Sequence, residues 1–414
     1  MGEKNLIIGF EFGEKESQIG IYDRKESDAV SVPVKQGSVQ STFATCLSKK
    51  RGSDEWHFGP EAYYFSSQQN EIYLDDLYQA CMKGESRVLE GRTWLPEELL
   101  AVFLRQSLRL AGVTDICAQV SALMITTAQI TRELVETVRR ACESLQISGN
   151  RYFLQNYEES FYYYTMYQRP ELYSRKVGMF LFENNQVSFW KLDMNVKVKP
   201  TLVKIEKTAP VELPETDALR DEQYCRYAQE ALGADVYSTI FLVGGGFDRS
   251  WAKDSLLFLC RHRRRVFMGN NLYVKGACFA AKEKVEDRML KGYLFVSDDM
   301  VRINIGMDMV INGSPAYYPL IPAGINWYEA VRDVRILLDG AQMLEFLVSN
   351  MEDGQKNRYC MALPSLPKRP AKATRLHLHL EFITAEKCRI QVRDEGFGEM
   401  FPASDLCWEE VFTG

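Results

Sequence analysis

The spacing of apolar and polar positions along the first two-thirds of the chain predicts short strands mixed with helices. Alternating or continuous apolar runs predict strands, and apolar residues at helical spacing predict helices. The predicted strands are Leu6–Phe12, Gln18–Asp23, Ser41–Ser48, Gln119–Ile125, Arg151–Leu154, a hairpin over Val177–Leu192, and Val196–Lys207. The predicted helices are Glu97–Ala111, Thr131–Leu145, an aromatic segment around Phe161–Tyr167 that should serve packing, and Asp217–Leu232.

From Gly292 to the end the pattern changes to short strands and turns, beginning with Tyr293–Val296. Asp339-Gly340 lies between two alternating runs and predicts a hairpin. The run Leu376–Phe382 alternates, which places His377 and His379 on its outer face. Two such histidines could hold a metal, but no third ligand is evident, so solvent-facing histidines are favoured. This part of the chain predicts an all-β sandwich.

A strand followed by three glycines is the most distinctive local pattern. Ile240–Val243 is short and apolar and leads into Gly244, Gly245 and Gly246, after which a helix is expected from Asp248. Glycine lets the backbone approach a ligand closely, and the free N–H groups of a helix start attract anions. The turn therefore predicts either a ligand site or a tight connection that binds nothing.

Composition narrows the classes of function. The 414 residues carry a net charge of −6, which gives no general attraction to nucleic acid or to an anionic membrane. There is no long apolar segment and no signal-peptide pattern, so a cytoplasmic location is expected. The ten cysteines form no C-x-x-C pair and only four histidines are present. A metal site is therefore not expected.

The basic run Arg261-His-Arg-Arg-Arg265 is the one candidate for nucleic-acid binding. It falls at the predicted end of a helix, where cations suit the helix dipole and the solvent. No aromatic residues interleave with it, and the chain is acidic as a whole. A solvated helix end is the favoured interpretation, and no nucleic-acid partner is expected.

The segments Leu242-Val-Gly-Gly-Gly246 and Val266-Phe-Met-Gly-Asn-Asn-Leu-Tyr-Val-Lys-Gly-Ala-Cys-Phe-Ala-Ala281 resemble the adenosine motif and closing helix of the seventy-kilodalton heat-shock chaperones. That family belongs to the actin and sugar-kinase superfamily. The resemblance implies an α/β two-lobed actin-like ATPase fold over residues 1–285. It further implies an all-β sandwich over 292–414, similar to the chaperone substrate-binding domain. No room is left before Gly414 for that family's helical lid.

The same resemblance places Ile8-Gly-Phe-Glu-Phe-Gly13 at the first phosphate loop. Glu11 stands there instead of the family's Asp, and Glu14, Lys15 and Glu16 follow Gly13. The carboxylates would repel a triphosphate, which Lys15 could partly offset.

The second phosphate loop would correspond to the turn between Phe182 and Gln186, which lacks the family's Asp and glycines. In the connecting segment Asn156 is kept, but Tyr157 stands where the family places a Glu. Glu158 could replace that Glu if the register slips by one residue, and Glu159 is the next carboxylate along.

Together these observations predict a non-catalytic, chaperone-like protein that binds a protein or peptide, with no membrane partner and no cofactor. Glu11 and Glu158 are the candidates if catalysis exists. Gly13, Lys15 and Gly244–Gly246 are the candidate nucleotide-binding residues. The alternative is a divergent ATPase or chaperone that still binds ATP and Mg²⁺ between its lobes.

Overall fold

The computed structural model of the protein describes residues 6–183, 185–286, 288–351 and 354–413. The chain folds as two compact units, Met1–Phe295 and Val296–Gly414. Of the predicted domains 1–285 and 292–414, residues 1–5, 184, 352–353 and 414 lie outside the described residues. No helix among those described is both long enough and apolar enough to cross a membrane.

The first unit mixes strands and helices. Its strands are β1 (Leu6–Phe12), β2 (Glu16–Asp23), β3 (Asp28–Ser31), β4 (Thr42–Ala44), β5 (Leu47–Lys50), β6 (Trp56–Phe58), β7 (Glu71–Leu74), β8 (Arg87–Leu89), β9 (Arg92–Trp94), β10 (Val120–Thr127), β11 (Tyr152–Asn156), β12 (Lys176–Glu183), β13 (Gln186–Asn195), β14 (Thr201–Lys207), β15 (Val211–Glu212), β16 (Tyr237–Val243), β17 (Arg265–Met268) and β18 (Tyr293–Val296). Its helices are α1 (Gly59–Phe65), α2 (Leu77–Lys83), α3 (Pro96–Ser107), α4 (Ile116–Gln119), α5 (Arg132–Ser144), α6 (Tyr157–Met166), α7 (Asp217–Leu232), α8 (Lys253–Leu259) and α9 (Leu272–Val285).

Two sheets of this unit share one strand arrangement. The first runs β11-β10-β1-β2-β3, and the second runs β17-β16-β12-β13-β14. In each sheet, the first three strands along the chain are antiparallel neighbours. The two later strands lie on the other side of the first strand and run parallel to it. In the second sheet β18 is added beyond β14. The first unit therefore contains the same five-stranded path twice.

Helix α9 packs tightly against both the first sheet and α6. A Cβ on Gly9 of β1 would lie 2.4 Å from the Val274 carbonyl oxygen of α9. A Cβ on Gly276 would lie 2.0 Å from the Ser160 carbonyl oxygen of α6. Both distances are far shorter than any van der Waals contact, so glycine is required where these backbones meet.

The second unit consists of two four-stranded antiparallel sheets. Its strands are β19 (Ile303–Ile311), β20 (Ser314–Ile321), β21 (Val331–Leu338), β22 (Met343–Asn350), β23 (Lys356–Ala362), β24 (Thr374–Thr384), β25 (Lys387–Gly396) and β26 (Cys407–Thr413). One sheet has the order β20-β19-β22-β23 and the other β21-β24-β25-β26. Alternation along β24 buries Leu376, Leu378 and Leu380, as the sequence predicts.

A buried ion pair ties the second sheet to the proline-rich segment that precedes β24. Arg369 Nη1 and Nη2 donate to the two carboxylate oxygens of Asp394 at 2.7 and 2.8 Å. The Ser404 hydroxyl and the Gly396 N–H donate to the same carboxylate. Burial alone would raise the pKa of Asp394, but these donors together hold it well below its usual value.

Three predictions of secondary structure are wrong. The helix expected from Asp248 begins only at Lys253 and has 7 residues. Asp339-Gly340 does not close a hairpin, because β21 and β22 belong to different sheets. Tyr293–Val296 pairs beside β14 in the first unit instead of opening the sandwich. Alternation identifies which face of a strand is buried, but it carries no information on the partner strand.

Candidate functional site

The β1–β2 turn, the end of β12 and two stacked tyrosines form what we call the two-turn site, defined by Glu11, Gly13, Tyr157, Glu183 and Tyr273. The first turn comprises the residues between Phe12 and Glu16, and the second follows Glu183. Asn184 of the second turn lies outside the described residues. Each turn joins the first hairpin of its sheet, so the two turns hold equivalent places in the repeated strand order.

Glu11 lies near the end of β1, beside Thr126 of β10 and Gln18 of β2. Burial among the surrounding groups raises the pKa of Glu11 to about 8. The hydroxyl of Tyr157 donates a hydrogen bond to this carboxyl group and limits the rise, while Glu16 and Glu183 add to it. Near neutral pH, Glu11 is therefore held mostly as the uncharged acid.

Tyr157 fills the space beside Glu11 and is fixed by an aromatic stack. Its ring lies parallel to that of Tyr273 in α9, with 4.0 Å between centroids and 5° between planes. The Tyr273 ring is buried, and its hydroxyl has no hydrogen-bond partner in the described residues. The stack closes one side of the site with apolar surface.

Asn156 and Glu159 cap the start of α6. The Asn156 side chain accepts from the Glu159 N–H at 2.9 Å, and Glu159 Oε2 accepts from the Asn156 N–H at 3.1 Å. This reciprocal arrangement is a capping box, which satisfies N–H groups that a helix start leaves open.

Glu158 forms an ion pair with Lys207 of β14. The structure thus places Tyr157, and not Glu158, against Glu11. The ammonium group of Lys207 also lies 5.4 Å from the centroid of the Trp190 ring. Glu158 nevertheless lies close to the site, since burial and then the charges of Glu183, Glu11 and Glu158 raise the pKa of Tyr273.

The β1–β2 turn is tight, and contacts to its acceptor groups hold it in place. A Cβ on Gly13 would lie 2.4 Å from the Glu16 carbonyl oxygen and 3.4 Å from the Tyr157 hydroxyl. The Gly13 carbonyl accepts from the Thr45 hydroxyl at 2.8 Å, and Glu14 accepts from the Gln79 side chain at 2.9 Å. Gly13 is therefore explained by the tightness of the turn.

The charges of Lys15 in the first turn and Glu183 beside the second turn interact. Partial burial raises the pKa of Glu183, and the positive charge of Lys15 counteracts that rise. Lys15 therefore lies close enough to Glu183, a carboxyl group of the opposite hairpin, for their charges to interact.

The three glycines after β16 are largely accounted for by packing. Gly244 has a φ of 103°, and a Cβ there would lie 2.0 Å from the Phe182 carbonyl oxygen of β12. Its N–H donates to the Asn270 side chain at 3.0 Å. A Cβ on Gly246 would lie 3.3 Å from that of Phe182, whereas Gly245 faces open space. Only Gly245 lacks a steric reason to be glycine.

The histidines of β24 are paired with a carboxylate. His377 Nε2 and His379 Nδ1 lie 3.0 and 2.9 Å from the same oxygen of Asp333 on β21. Distances of this length are hydrogen bonds. Within the part of the chain that the structure describes, no cluster of three or more His, Cys, Asp or Glu side chains is arranged to hold a metal.

Comparison with known families covers nearly the whole chain. The model of the C-terminal part of a family of unknown function, DUF5716, matches residues 28–298. The model of a domain of unknown function, DUF8552, matches residues 300–413. The boundary between the two matches lies close to the boundary between the two units. No curated protein matches the chain.

Proposed function

The chain belongs to the DUF5716 family of unknown function, and we propose that it is a non-catalytic, chaperone-like protein that binds another protein or peptide. The repeated five-stranded path of the first unit supports an actin-like origin for that unit. The resemblance to seventy-kilodalton heat-shock chaperones extends this proposal to a substrate-binding role for the second unit. Cytoplasmic location stays a prediction.

The two-turn site supports the non-catalytic part of the proposal. Phosphoryl transfer needs a triphosphate whose charge is neutralised by metal ions and donors. Here the charges of Glu16 and Glu183 act on Glu11, which is mostly uncharged near neutral pH, and Tyr157 occupies the side of Glu11. We therefore expect neither ATP nor Mg²⁺ to be a cofactor.

A groove on the outer face of the sheet β20-β19-β22-β23 carries the binding part of the proposal. It has a volume of about 470 Å³. Tyr317, Pro319 and Leu347 provide apolar surface, with Asp308 and Lys356 at its border. A Cβ on Gly306 would lie 2.4 Å from the Tyr317 ring, so this ring lies flat across the sheet. Apolar surface bordered by both charges suits an extended peptide with apolar side chains.

Peptide binding is tested with a fluorescein-labelled heptapeptide of leucine and serine, followed by fluorescence anisotropy. Tyr317→Ala should weaken binding at least tenfold, because it removes the floor of the groove. Tyr63→Ala is the matched control, since Tyr63 is 69% exposed in the first unit. Equal binding by both variants, or no binding by the wild type, would count against the groove.

Calorimetry with ATP and Mg²⁺ tests the two-turn site. We expect no heat of binding at millimolar nucleotide. Saturable binding that Glu11→Ala abolishes would instead support the divergent ATPase, with Glu11 near the metal and Lys15 and Gly245 near the phosphates. The two measurements are separate, so a nucleotide-binding result leaves the peptide-binding result to be judged alone.

A further inference from the structure

Strand β17 forms one end of the second sheet and is bordered by arginines and exposed apolar side chains. We call Arg261, Arg263, Arg265, Phe267 and Met268 the β17 edge patch. Among the described strands, β17 pairs only with β16. A strand at the end of a sheet presents unpaired N–H and C=O groups along its open side.

The apolar side chains of this edge are unusually accessible. Phe267 is 42% exposed and Met268 is 47% exposed. The Phe267 ring is held in place by stacking on Phe241 of β16, with 5.8 Å between centroids. Arg265 and Phe267 lie opposite Thr239 and Phe241 in the register, so they share one face of the sheet.

The turn before β17 holds its arginines outward at an energetic cost. His262 and Arg263 have φ values of 59° and 61°, although neither is glycine. Such conformations cost on the order of 1 kcal/mol each and are often kept for function. Arg264 stabilises the turn by donating to the carbonyl oxygens of Leu259 and Phe258. Its neighbours are left to the solvent.

The charge of the patch is uncompensated. Arg261, Arg263 and Arg265 are exposed, and none forms an ion pair within residues 6–183, 185–286, 288–351 or 354–413. The chain as a whole carries a charge of −6. A local positive patch on an acidic protein selects an acidic partner by charge complementarity.

We propose that the β17 edge patch binds an extended acidic segment of another protein, which adds as a strand beside β17. The backbone of the segment pairs with the open side of β17, its acidic side chains meet the arginines, and an apolar side chain covers Phe267. This surface lies on the first unit and is independent of the peptide groove proposed for the second.

A peptide suits the patch better than a nucleic acid. Strand β17 spans only Arg265–Met268, and its unpaired N–H and C=O groups match a peptide backbone. A nucleic acid would require phosphate contacts over a longer basic track. The edge position of Phe267 and Met268 likewise matches the side chains of an added strand.

The test uses a fluorescein-labelled hexapeptide, Glu-Ser-Val-Ser-Glu-Ser, whose glutamates and valine share one face of an added strand, and fluorescence anisotropy with the full chain. The acidic peptide should bind saturably, while a lysine and valine peptide of equal length should not. Arg265→Glu should weaken binding of the acidic peptide at least tenfold. Arg105→Glu, at an exposed position of α3, makes the same charge change elsewhere and should leave binding unaltered.

A second arm separates strand addition from simple charge attraction. A version of the acidic peptide with N-methyl groups at alternate residues cannot donate along one side, so it should lose binding if a strand is added. Phe267→Ala should weaken the unmodified peptide without altering the charge. Equal binding by the N-methylated peptide, equal binding by Arg265→Glu, or stronger binding of a dT oligonucleotide would each overturn the proposal.

Discussion

Two carboxyl groups that are shielded from water in this protein have pKa values shifted in opposite directions. Glu11 of the first unit is surrounded by further acids, and burial raises its pKa to about 8. Asp394 of the second unit is only 1% exposed, yet Arg369 and three other donors hold its pKa well below its usual value. Burial therefore does not decide the charge of a carboxyl group; the supply of positive or hydrogen-donating partners decides it.

The difference in their partners indicates which of the two carboxyl groups has a structural role. Asp394 is satisfied by a single interlocked set of partners and leaves nothing for a ligand. Glu11 accepts a hydrogen bond from Tyr157 and lies near the charges of Glu16 and Glu183, which oppose its ionisation. Because their pKa shifts are opposite, the two groups contribute to stability with opposite pH dependence. The following experiments test this contrast, from the largest expected effect to the smallest.

Removing the partner of Asp394 should have the largest effect. Arg369→Met leaves a buried carboxylate without its cation and should lower the free energy of unfolding by about 3–5 kcal/mol. Hydrogen–deuterium exchange should localise the loss to the second unit. Arg335→Met, which breaks the exposed pair with Glu395, is the control and should cost less than about 1 kcal/mol.

The lowered pKa of Asp394 determines how its contribution to the free energy of unfolding changes with pH. Its stabilisation is present above the ordinary pKa of an aspartate and is lost as the pH falls through the folded value. The difference in free energy of unfolding between wild type and Arg369→Met should therefore shrink as the pH falls, because the wild type then loses the pair that the variant lacks. A difference that does not change with pH would mean that Arg369 does not lower the pKa of Asp394.

Substitutions at Gly244 and Gly245 test whether packing explains the glycines that follow β16. Gly244→Ala places a methyl group against the Phe182 carbonyl oxygen at a positive φ, and should cost about 2–4 kcal/mol in urea unfolding. Gly245→Ala, which faces open space, is the matched control and should change stability by less than about 0.5 kcal/mol. Equal effects would refute the packing explanation for Gly244.

Glu11→Gln should change the pH dependence of the first unit. The raised pKa of Glu11 means that its contribution to stability is complete below its ordinary value of 4.5 and is lost as the pH rises through about 8. Relative to the Gln variant, the wild type should lose about 2 kcal/mol over that range, because each pKa unit corresponds to about 1.4 kcal/mol and partial exposure reduces the effect. Parallel stability curves for the two proteins would show that Glu11 is ionised at neutral pH.

Much of the secondary structure could be predicted from the spacing of apolar residues. The helix predicted from Thr131 is α5, with Thr131 as its cap, and the hairpin predicted over Val177–Leu192 is β12–β13. Segments with mixed or very short patterns were not recognised, including α1, α2 and β3. Helices and strands of this length bury too few residues to show a period.

The site was only partly predictable. Glu11 and Tyr157 could be singled out from the sequence, but Tyr273 could not, because its stack on Tyr157 joins the starts of two helices far apart in the chain. The role of Gly244 was likewise ambiguous, since a close approach to Phe182 and to a ligand would select the same residue. The distance from Gly244 to Phe182, which is far from it in the sequence, is needed to distinguish the two explanations.

The position of α9 has a consequence for synthesis of the chain. Its residues Ala277, Cys278 and Phe279 form one core cluster with Ile7 and Met124 of the first sheet. The last strand of that sheet, β11, ends at Asn156, whereas α9 ends at Val285. At ribosomal speeds of about 5–20 residues per second, one apolar face of the first sheet waits on the order of ten seconds for its cover. During translation, that apolar face of the first sheet is therefore exposed until α9 has been synthesised.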